Sequence, residues 1–367
     1  MNLHKPDITQ IVSPFLLFFI INATQIGEGL LSFEREIADI AGYDAWITTI
    51  ISGLLTTVVI VIIWKIITDE QTDWITIHHS IFGKIIGNCL TILFGLYALL
   101  VSIIVLISYI EIIQIWFFPD MSIVLFLSLL FILVLYICLG GFRIVVGFAF
   151  FSFFITSFLA VFKYKGFVDG NFSNIFPLFN TPIQDIIRAL EPMSFSFLGI
   201  ELILIYAPFI KRFKSGLKWA IGGNLLSSFT YLMSAIIIFM YYNEQQIQTI
   251  SWPTLQLMKV INLPIVERFE YLGISLHFIA IIATSCLYFW SSIQCFQRIT
   301  PFKLRTIGII FALIGVFSVY FINNFLIIDL VSHLISRIGL IVLFAYIPLL
   351  FIIKKVIEGV KSKNAKN

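Results

Sequence analysis

The chain consists largely of long apolar stretches separated by short polar segments. A helix needs about 20 consecutive apolar residues to cross the hydrocarbon layer of a bilayer. Ten stretches come close to that length or exceed it, and by residue number they are 8–40, 45–67, 84–117, 122–139, 144–162, 185–210, 217–242, 270–297, 303–322 and 327–353. The pattern predicts an all-α polytopic membrane protein with ten transmembrane helices, forming a single integral membrane domain over residues 1–367.

Two of the ten stretches are interrupted by glycine close to a carboxylate. The first contains Gly27, Glu28 and Gly29, and the sixth contains Gly199 and Glu201. Glycine permits an unwound backbone, and an ionisable group at mid-membrane depth is costly and therefore a functional-site hypothesis. In membrane transporters, discontinuous helices of this kind hold small ligands. We expect helices 1 and 6 to be broken and to form a ligand site. The structural alternative is a kinked helix whose glutamate finds a partner inside the bundle.

The spacing of the two breaks indicates an internal repeat. The break recurs after five predicted spans, and an odd number of spans per repeat inserts the second half upside down relative to the first. We therefore expect a 5+5 inverted repeat of the transporter type, with a first repeat at about 8–162 and a second at about 185–353.

Two broken helices at one depth provide both kinds of partial charge. The N-terminal ends of the half-helices near Gly29 and Gly199 suit a carboxylate, and the carbonyls that end the preceding halves suit an ammonium group. A zwitterionic amino acid matches this arrangement, although another small polar nutrient remains open. Glu28 and Glu201 either bind a cation or proton or cap the half-helices. The candidate ligand-binding residues are Thr24, Gln25, Gly27, Glu28, Gly29, Tyr97, Val101, Ser194, Phe195, Phe197, Leu198, Gly199, Glu201, Thr284 and Tyr288.

The tenth span carries a second polar pattern. Asp329, His333 and Arg337 recur at intervals of four residues, which places them on one face of a helix. The functional interpretation is a proton or gating relay, and the structural alternative is charge satisfaction beside the bundle.

Composition and charge support the membrane assignment. The chain is 60% hydrophobic and 12% charged, whereas soluble domains carry about 25% charged residues. With the N-terminus in the cytoplasm, sixteen Lys and Arg residues fall on the inner side and six on the outer side. Because positive residues prefer the cytoplasmic side, we expect both termini to be cytoplasmic. The basic loops are then explained by topology, and we expect no nucleic-acid partner.

The sequence shows no pattern typical of an enzyme. Four cysteines, at 89, 138, 286 and 295, lie in predicted spans without metal-ligand spacing. We find no phosphate-binding loop, no nucleophile motif and no soluble domain of cofactor-binding size. We therefore expect a non-enzymatic protein without a cofactor or metal.

Several local motifs together resemble the B subunits of bacterial spore germinant receptors, the endospore germination permease family. This family is related to the amino acid–polyamine–organocation transporters. The matching residues are Ile26-Gly27-Glu28-Gly29-Leu30-Leu31, Ala41-Gly42-Tyr43-Asp44-Ala45-Trp46-Ile47, Asn174-Ile175-Phe176-Pro177-Leu178, Ser194-Phe195-Ser196-Phe197, Trp252-Pro253-Thr254-Leu255 and Pro264-Ile265-Val266-Glu267-Arg268-Phe269-Glu270. One departure is that the family commonly has proline shortly after the glycine motif, where this chain has Ser32-Phe33-Glu34-Arg35.

The resemblance implies a subunit in the inner membrane of the bacterial spore that binds a nutrient germinant and acts with receptor A and C subunits. Our leading hypothesis is thus a nutrient-sensing receptor subunit. The alternative is a Na⁺- or H⁺-coupled amino-acid transporter, and a third is a structural subunit with a vestigial pocket.

Overall fold

The computed structural model describes residues 7–67, 73–261, 267–322 and 324–364, with side chains up to residue 359. The α-helices in these ranges are α1 Leu17–Gln25, α2 Gly29–Ala41, α3 Trp46–Ile66, α4 Trp74–Trp116, α5 Ile123–Leu139, α6 Phe142–Val161, α7 Tyr164–Asp169, α8 Ile183–Arg188, α9 Leu190–Ser196, α10 Ile203–Tyr206, α11 Leu217–Tyr241, α12 Glu244–Gln248, α13 Pro253–Met258, α14 Phe269–Ile299, α15 Leu304–Phe317, α16 Phe325–Ile341 and α17 Ile347–Asn364. Short 3₁₀ helices at Ile8–Gln10, Pro14–Leu16, Gly42–Ala45, Phe172–Ile175, Ile200–Leu202, Ala207–Phe209, Phe213–Gly216 and Ser318–Tyr320, and a π-helix at Val342–Tyr346, extend or join them.

Helices occupy all ten predicted stretches, and helices 1 and 6 are both broken. Within the described ranges, six helices are long and apolar enough to cross a membrane, or up to seven if the bent pair Ile183–Ser196 and Ile200–Phe209 forms one span. The chain is thus an integral membrane protein of all-α class, as predicted, whereas the count of ten crossings and the repeat boundaries stay predictions. The shorter apolar segments Pro14–Gln25, Ile123–Leu139 and Leu304–Tyr320 account for most of the difference.

Contacts between distant segments define two faces of the bundle. At the N-terminal face, the Arg143 side chain donates to the Ile11 carbonyl at 2.8 Å, the Lys211 amide donates to the Val12 carbonyl at 2.9 Å, and Arg298 pairs with Asp73. At the opposite face, one oxygen of the Asp44 carboxylate accepts from the amides of Asn180 and Thr181, at 2.7 and 3.0 Å. The predicted topology assigns these two sets of contacts to opposite sides of the membrane, and that orientation stays a prediction.

The interior that positions the breaks is built mainly by α14 and α4. Both helices are largely buried: 72% of the most apolar 18-residue stretch of each lies inside the protein. Trp290, on α14, is completely buried and packs against Phe142 and Phe209 at ring-centroid distances of 4.6 and 4.9 Å. Since α14 and α4 are enclosed by other helices, the segments that pack on them lie in the centre of the bundle.

The orientation in the membrane leads to a first prediction. With Cys89, the exposed cysteine, replaced by serine, a cysteine at Ser215 is expected to resist an impermeant thiol reagent applied from outside, and one at Asn171 to react. Both positions are exposed, and they lie on the basic and the opposite sides of the bundle. Labelling of intact and of permeabilised cells measures this difference. Reaction at Ser215 in intact cells would reverse the assigned orientation.

Candidate ligand-binding site

The two broken helices lie directly against each other. Helix α1 ends at Gln25 and α2 begins at Gly29, while α9 ends at Ser196 and the chain resumes at Ile200 after a bend of 53°. Gly199 has φ +106°, and a Cβ there would lie 2.3 Å from the Thr24 Cβ. A Cβ on Gly29 would lie 2.7 Å from the Ser196 hydroxyl. The glycines at the two breaks thus allow a backbone approach that no side chain would permit.

The first break presents unsatisfied backbone donors. The amides of Gly27, Glu28 and Gly29 have no hydrogen-bond acceptor among the residues that the structure describes, and α2 has no side-chain cap. Three successive free N–H groups at the start of a helix form a site of partial positive charge. This end of α2 is suited to an anionic group.

The carbonyls around the first break are held by other helices. The Gly27 carbonyl lies 3.0 Å from the His277 Nε2, the Ala23 carbonyl accepts from the Thr284 hydroxyl at 2.7 Å, and the Gln25 carbonyl accepts from Tyr231 at 2.5 Å. Because α14 and α11 supply these donors, the unwound segment is fixed in shape. His277, a buried residue of α14, therefore contacts the break itself.

The second break differs because its own carboxylate occupies it. The Gly199 amide donates to the Glu201 Oε2 at 2.8 Å, and the Glu201 Oε1 accepts from Tyr288 at 3.0 Å and Tyr97 at 3.3 Å. Glu201 is completely buried. Its contacts agree with the capping interpretation, and they leave the Gly199 amide unavailable to a ligand. The anion-binding end expected there is already satisfied internally.

A small pocket lies between the two breaks. It is lined by Thr24, Gln25, Gly27, Glu28, Gly29, Val101, Val105, Phe195, Leu198, Thr284 and Tyr288. Its volume is about 20 Å³, enough for about one water molecule, whereas pockets for small-molecule ligands are typically of about 300–1,000 Å³. The structure therefore describes a closed site, and an amino acid requires it to open.

A larger cavity of about 340 Å³, the vestibule, leads toward this pocket from the opposite face. It is lined by Glu28, Ser32, Arg35, Glu36, Asp39, Ile40, Ser108, Glu111, Pro192, Phe195, Ser251, Trp252, Phe325, Ile328, Asp329, Ser332, His333 and Ser336. Glu28 and Phe195 line both the vestibule and the pocket. These two side chains stand at the boundary between them.

Five predicted site residues lie around the pocket without lining it. Tyr97 and Glu201 bond to each other behind Tyr288, and Gly199 packs against Thr24. The Ser194 hydroxyl donates to the Ser336 carbonyl at 2.9 Å. Phe197 packs on Tyr231, at a centroid distance of 5.5 Å, on the side facing α11.

The candidate relay on α16 is divided between two partners. The His333 Nε2 lies 3.8 Å from the Asp329 Oδ1, and both residues line the vestibule. Arg337 instead pairs with Glu191 on α9 at 2.6 Å, with Arg337 68% and Glu191 36% exposed. A continuous three-residue relay is absent from these contacts, and Arg337 satisfies a charge on the broken helix.

Sequence reasoning missed Val105 and most residues of the vestibule. Val105 has no distinguishing signal, because it is one apolar residue in a long apolar helix. By contrast, Ser32, Glu36 and Asp39 lie four and three residues apart on α2 and line one cavity. That helical spacing of polar residues within an apolar helix was available in the sequence.

Solved structures with this fold are membrane transporters. The structure of MhsT in complex with L-phenylalanine matches with a TM-score of 0.61 at 14% identity, covering 90% of this chain and 88% of that chain. A substrate-bound, outward-open Na⁺-coupled sialic acid symporter matches with a TM-score of 0.62 at 14% identity, covering 90% and 77%. The predicted transporter-like fold is thus confirmed, and at this identity the likeness concerns the fold alone.

Relatives in sequence are germination proteins. Spore germination protein GerQB of Bacillus cereus is 32% identical over 344 residues, covering 94% of this chain and 95% of that protein. Spore germination protein A2 of Bacillus subtilis (strain 168) is 24% identical over 316 residues, covering 82% and 83%. The family model described as spore germination protein, a spore permease, matches residues 11–330. With most of its length matched in this way, the chain belongs to the spore germination protein family.

Proposed function

We propose that this protein is the nutrient-sensing subunit of a spore germination receptor and that it binds an amino acid between the two broken helices. The observation that carries the proposal is the row of free amides at Gly27, Glu28 and Gly29, which opens on a pocket shared by both breaks. A ligand carboxylate satisfies these donors. The Glu28 side chain, at the boundary with the vestibule, then pairs with the ligand ammonium group.

Ligand binding requires the pocket to enlarge. A sensor needs a ligand that binds two conformations with different affinity, and the closed pocket of about 20 Å³ cannot hold an amino acid. Phe195 is the side chain that we expect to move, because it lines both the vestibule and the pocket. Its displacement would join the two cavities. The enlarged site is then the signalling state.

Family membership supports the cellular setting of the proposal. Related chains are named as spore germination proteins, so we place this one in the inner membrane of the spore, with both termini cytoplasmic. We propose that it acts with receptor A and C subunits. The bilayer surrounds it, and the ligand is its small-molecule partner.

Binding without transport is the second prediction. A coupled transporter must use a driving ion. Of the polar side chains that could take part in ion coupling, Thr284 bonds to the Ala23 carbonyl, Ser285 to Ser102, and Arg337 to Glu191. We propose that Glu28 pairs with the ligand rather than with a driving ion. We expect the purified protein in liposomes to bind one or more radiolabelled L-amino acids without concentrating them under a Na⁺ or H⁺ gradient. Binding is measured at equilibrium, and uptake is measured with and without the gradient.

The same amino-acid panel should be applied to spores with and without this protein. Germination that depends on the protein and on its A and C partners would support the sensor. Gradient-driven accumulation by the protein alone would instead establish the Na⁺- or H⁺-coupled transporter, which its structural neighbours make the second candidate function. Absence of binding to every amino acid in the panel would contradict the proposed ligand class.

A further inference from the structure

A buried ion pair lies one and a half turns along α2 from the first break. The Lys163 Nζ is 3.8 Å from the Glu34 Oε1. The hydroxyls of Ser234 and Thr254 donate to that same oxygen at 2.5 and 2.7 Å. Lys163 in turn donates to both hydroxyls, at 2.9 Å for Thr254. Glu34 is 0% and Lys163 7% exposed.

The four residues of this cluster come from four different elements. Glu34 lies on α2, Ser234 on α11 and Thr254 on α13, and Lys163 follows the end of α6. Helix α2 begins with the free amides of the ligand pocket, and α13 follows Trp252, which lines the vestibule. The cluster therefore links α2 and α13, which border the route to the pocket, to the end of α6 and to α11.

Burying an ion pair costs desolvation free energy, and its best-attested role is to fix one conformation. Desolvating two charges offsets much of their attraction, so a buried ion pair is weak evidence for stability and is best attested as a device that fixes one arrangement. The Glu34 Oε2 is buried without a hydrogen-bond partner among the described residues. The carboxylate is thus not bonded as fully as a purely structural role would favour.

We propose that Glu34 and Lys163 are positioning residues that hold α2 and α13 in the arrangement that closes the ligand pocket. Opening the pocket separates this pair, so the pair sets how much ligand is needed for a response. The ligand part of this inference rests on the proposed function, whereas the closing of the pocket does not. Weakening the cluster increases the population of the open form, and the apparent dissociation constant falls in proportion.

The test uses a variant that removes both charges at nearly constant size, Glu34→Gln with Lys163→Met. Removing only one partner would leave an unpaired buried charge and risk unfolding. A milder second variant, Thr254→Val, removes one hydroxyl of the cluster. The matched control is Lys165→Met, at a position two residues after Lys163. It breaks a partly exposed ion pair in which the Lys165 Nζ lies 2.9 Å from the Asp169 Oδ2.

The first readout is independent of ligand. In a chain with Cys89→Ser, a cysteine at Val105, a buried residue that lines the pocket, is treated with N-ethylmaleimide in lipid nanodiscs. We expect the double variant to react about fivefold faster or more, Thr254→Val to show a smaller increase, and Lys165→Met to react at the parental rate. Unchanged reactivity in folded double and Thr254→Val variants would overturn the proposal.

The second readout is binding of an amino acid to which the parent responds. We expect its half-saturating concentration to fall by the same factor as the reactivity rises. Faster cysteine reaction with unchanged binding would keep the closing role and reject the ligand site at the breaks. Normal reactivity with altered binding would reject the closing role while leaving the ligand site in place.

Discussion

Replacing Glu28 by glutamine is expected to weaken ligand binding about ten- to a hundredfold, with a matching rise in the nutrient concentration needed for germination. Hydrogen bonds to a charged group contribute about 1.5–3 kcal/mol, and glutamine keeps the shape while removing the charge. Among the residues that the structure describes, the Glu28 carboxylate has no hydrogen-bond partner that the substitution would leave unsatisfied, and Glu28 borders both cavities. Equilibrium binding to the purified protein and dose–response curves of spores measure the effect.

Glu36→Gln is the matched control for this experiment. Glu36 lies two turns further along the same helix, lines the vestibule without lining the pocket, and accepts from Ser32 at 2.8 Å. Glu36→Gln changes the charge of the vestibule by the same amount as Glu28→Gln. We expect at most a small change in affinity, because the side chain stays outside the pocket. Equal losses in both variants would mean that Glu28 acts only through the vestibule's overall charge.

Gly199→Ala is expected to lower the amount of folded protein several-fold. The left-handed backbone at φ +106° costs an L-residue about 1–2 kcal/mol. The added Cβ would also overlap the Thr24 Cβ at 2.3 Å, so the two broken helices must move apart. A loss of this size changes cellular abundance several-fold. Membrane abundance and the melting temperature of the purified protein measure it.

Two other glycines distinguish the effect of backbone strain from that of the clash with Thr24. Gly83 has φ +78° with nothing within 4 Å of an added Cβ, so Gly83→Ala tests backbone strain alone. Gly147 lies in α6, also in open space, and Gly147→Ala is expected to be neutral or slightly stabilising. We expect Gly199→Ala to be clearly worse than Gly83→Ala. Similar effects in the two would show that the contact between the breaks contributes little.

Much of the fold could be predicted because membrane insertion depends on local composition. Apolar stretches long enough to cross a bilayer are visible without knowing their neighbours, and the glycines beside Glu28 and Glu201 mark where two helices unwind. The same reasoning assembled most of the pocket, because two breaks at one depth must meet near the centre of the bundle. The distribution of basic residues also predicts on which side of the membrane each loop lies.

Residues distant in sequence decide whether the glutamate at each break caps its own helix end. Both breaks read as glycine beside glutamate, but Tyr97 and Tyr288, 104 and 87 residues away from Glu201, turn that carboxylate inward onto its own helix end. Nothing in the sequence around Gly199 records those tyrosines. Among the described residues, Glu28 has no such donors, and it remains at the pocket boundary.

The sequence by itself determined the helical membrane class, the position of both breaks and ten of the residues that line the pocket. Only the tertiary structure decided that the pocket is closed, which amides are free, and that Glu34 meets Lys163 inside the bundle. Hydropathy and backbone permissiveness are properties of a residue and its immediate neighbours. Cavity volume and charge pairing depend instead on how helices far apart in the chain pack together, which local patterns do not specify.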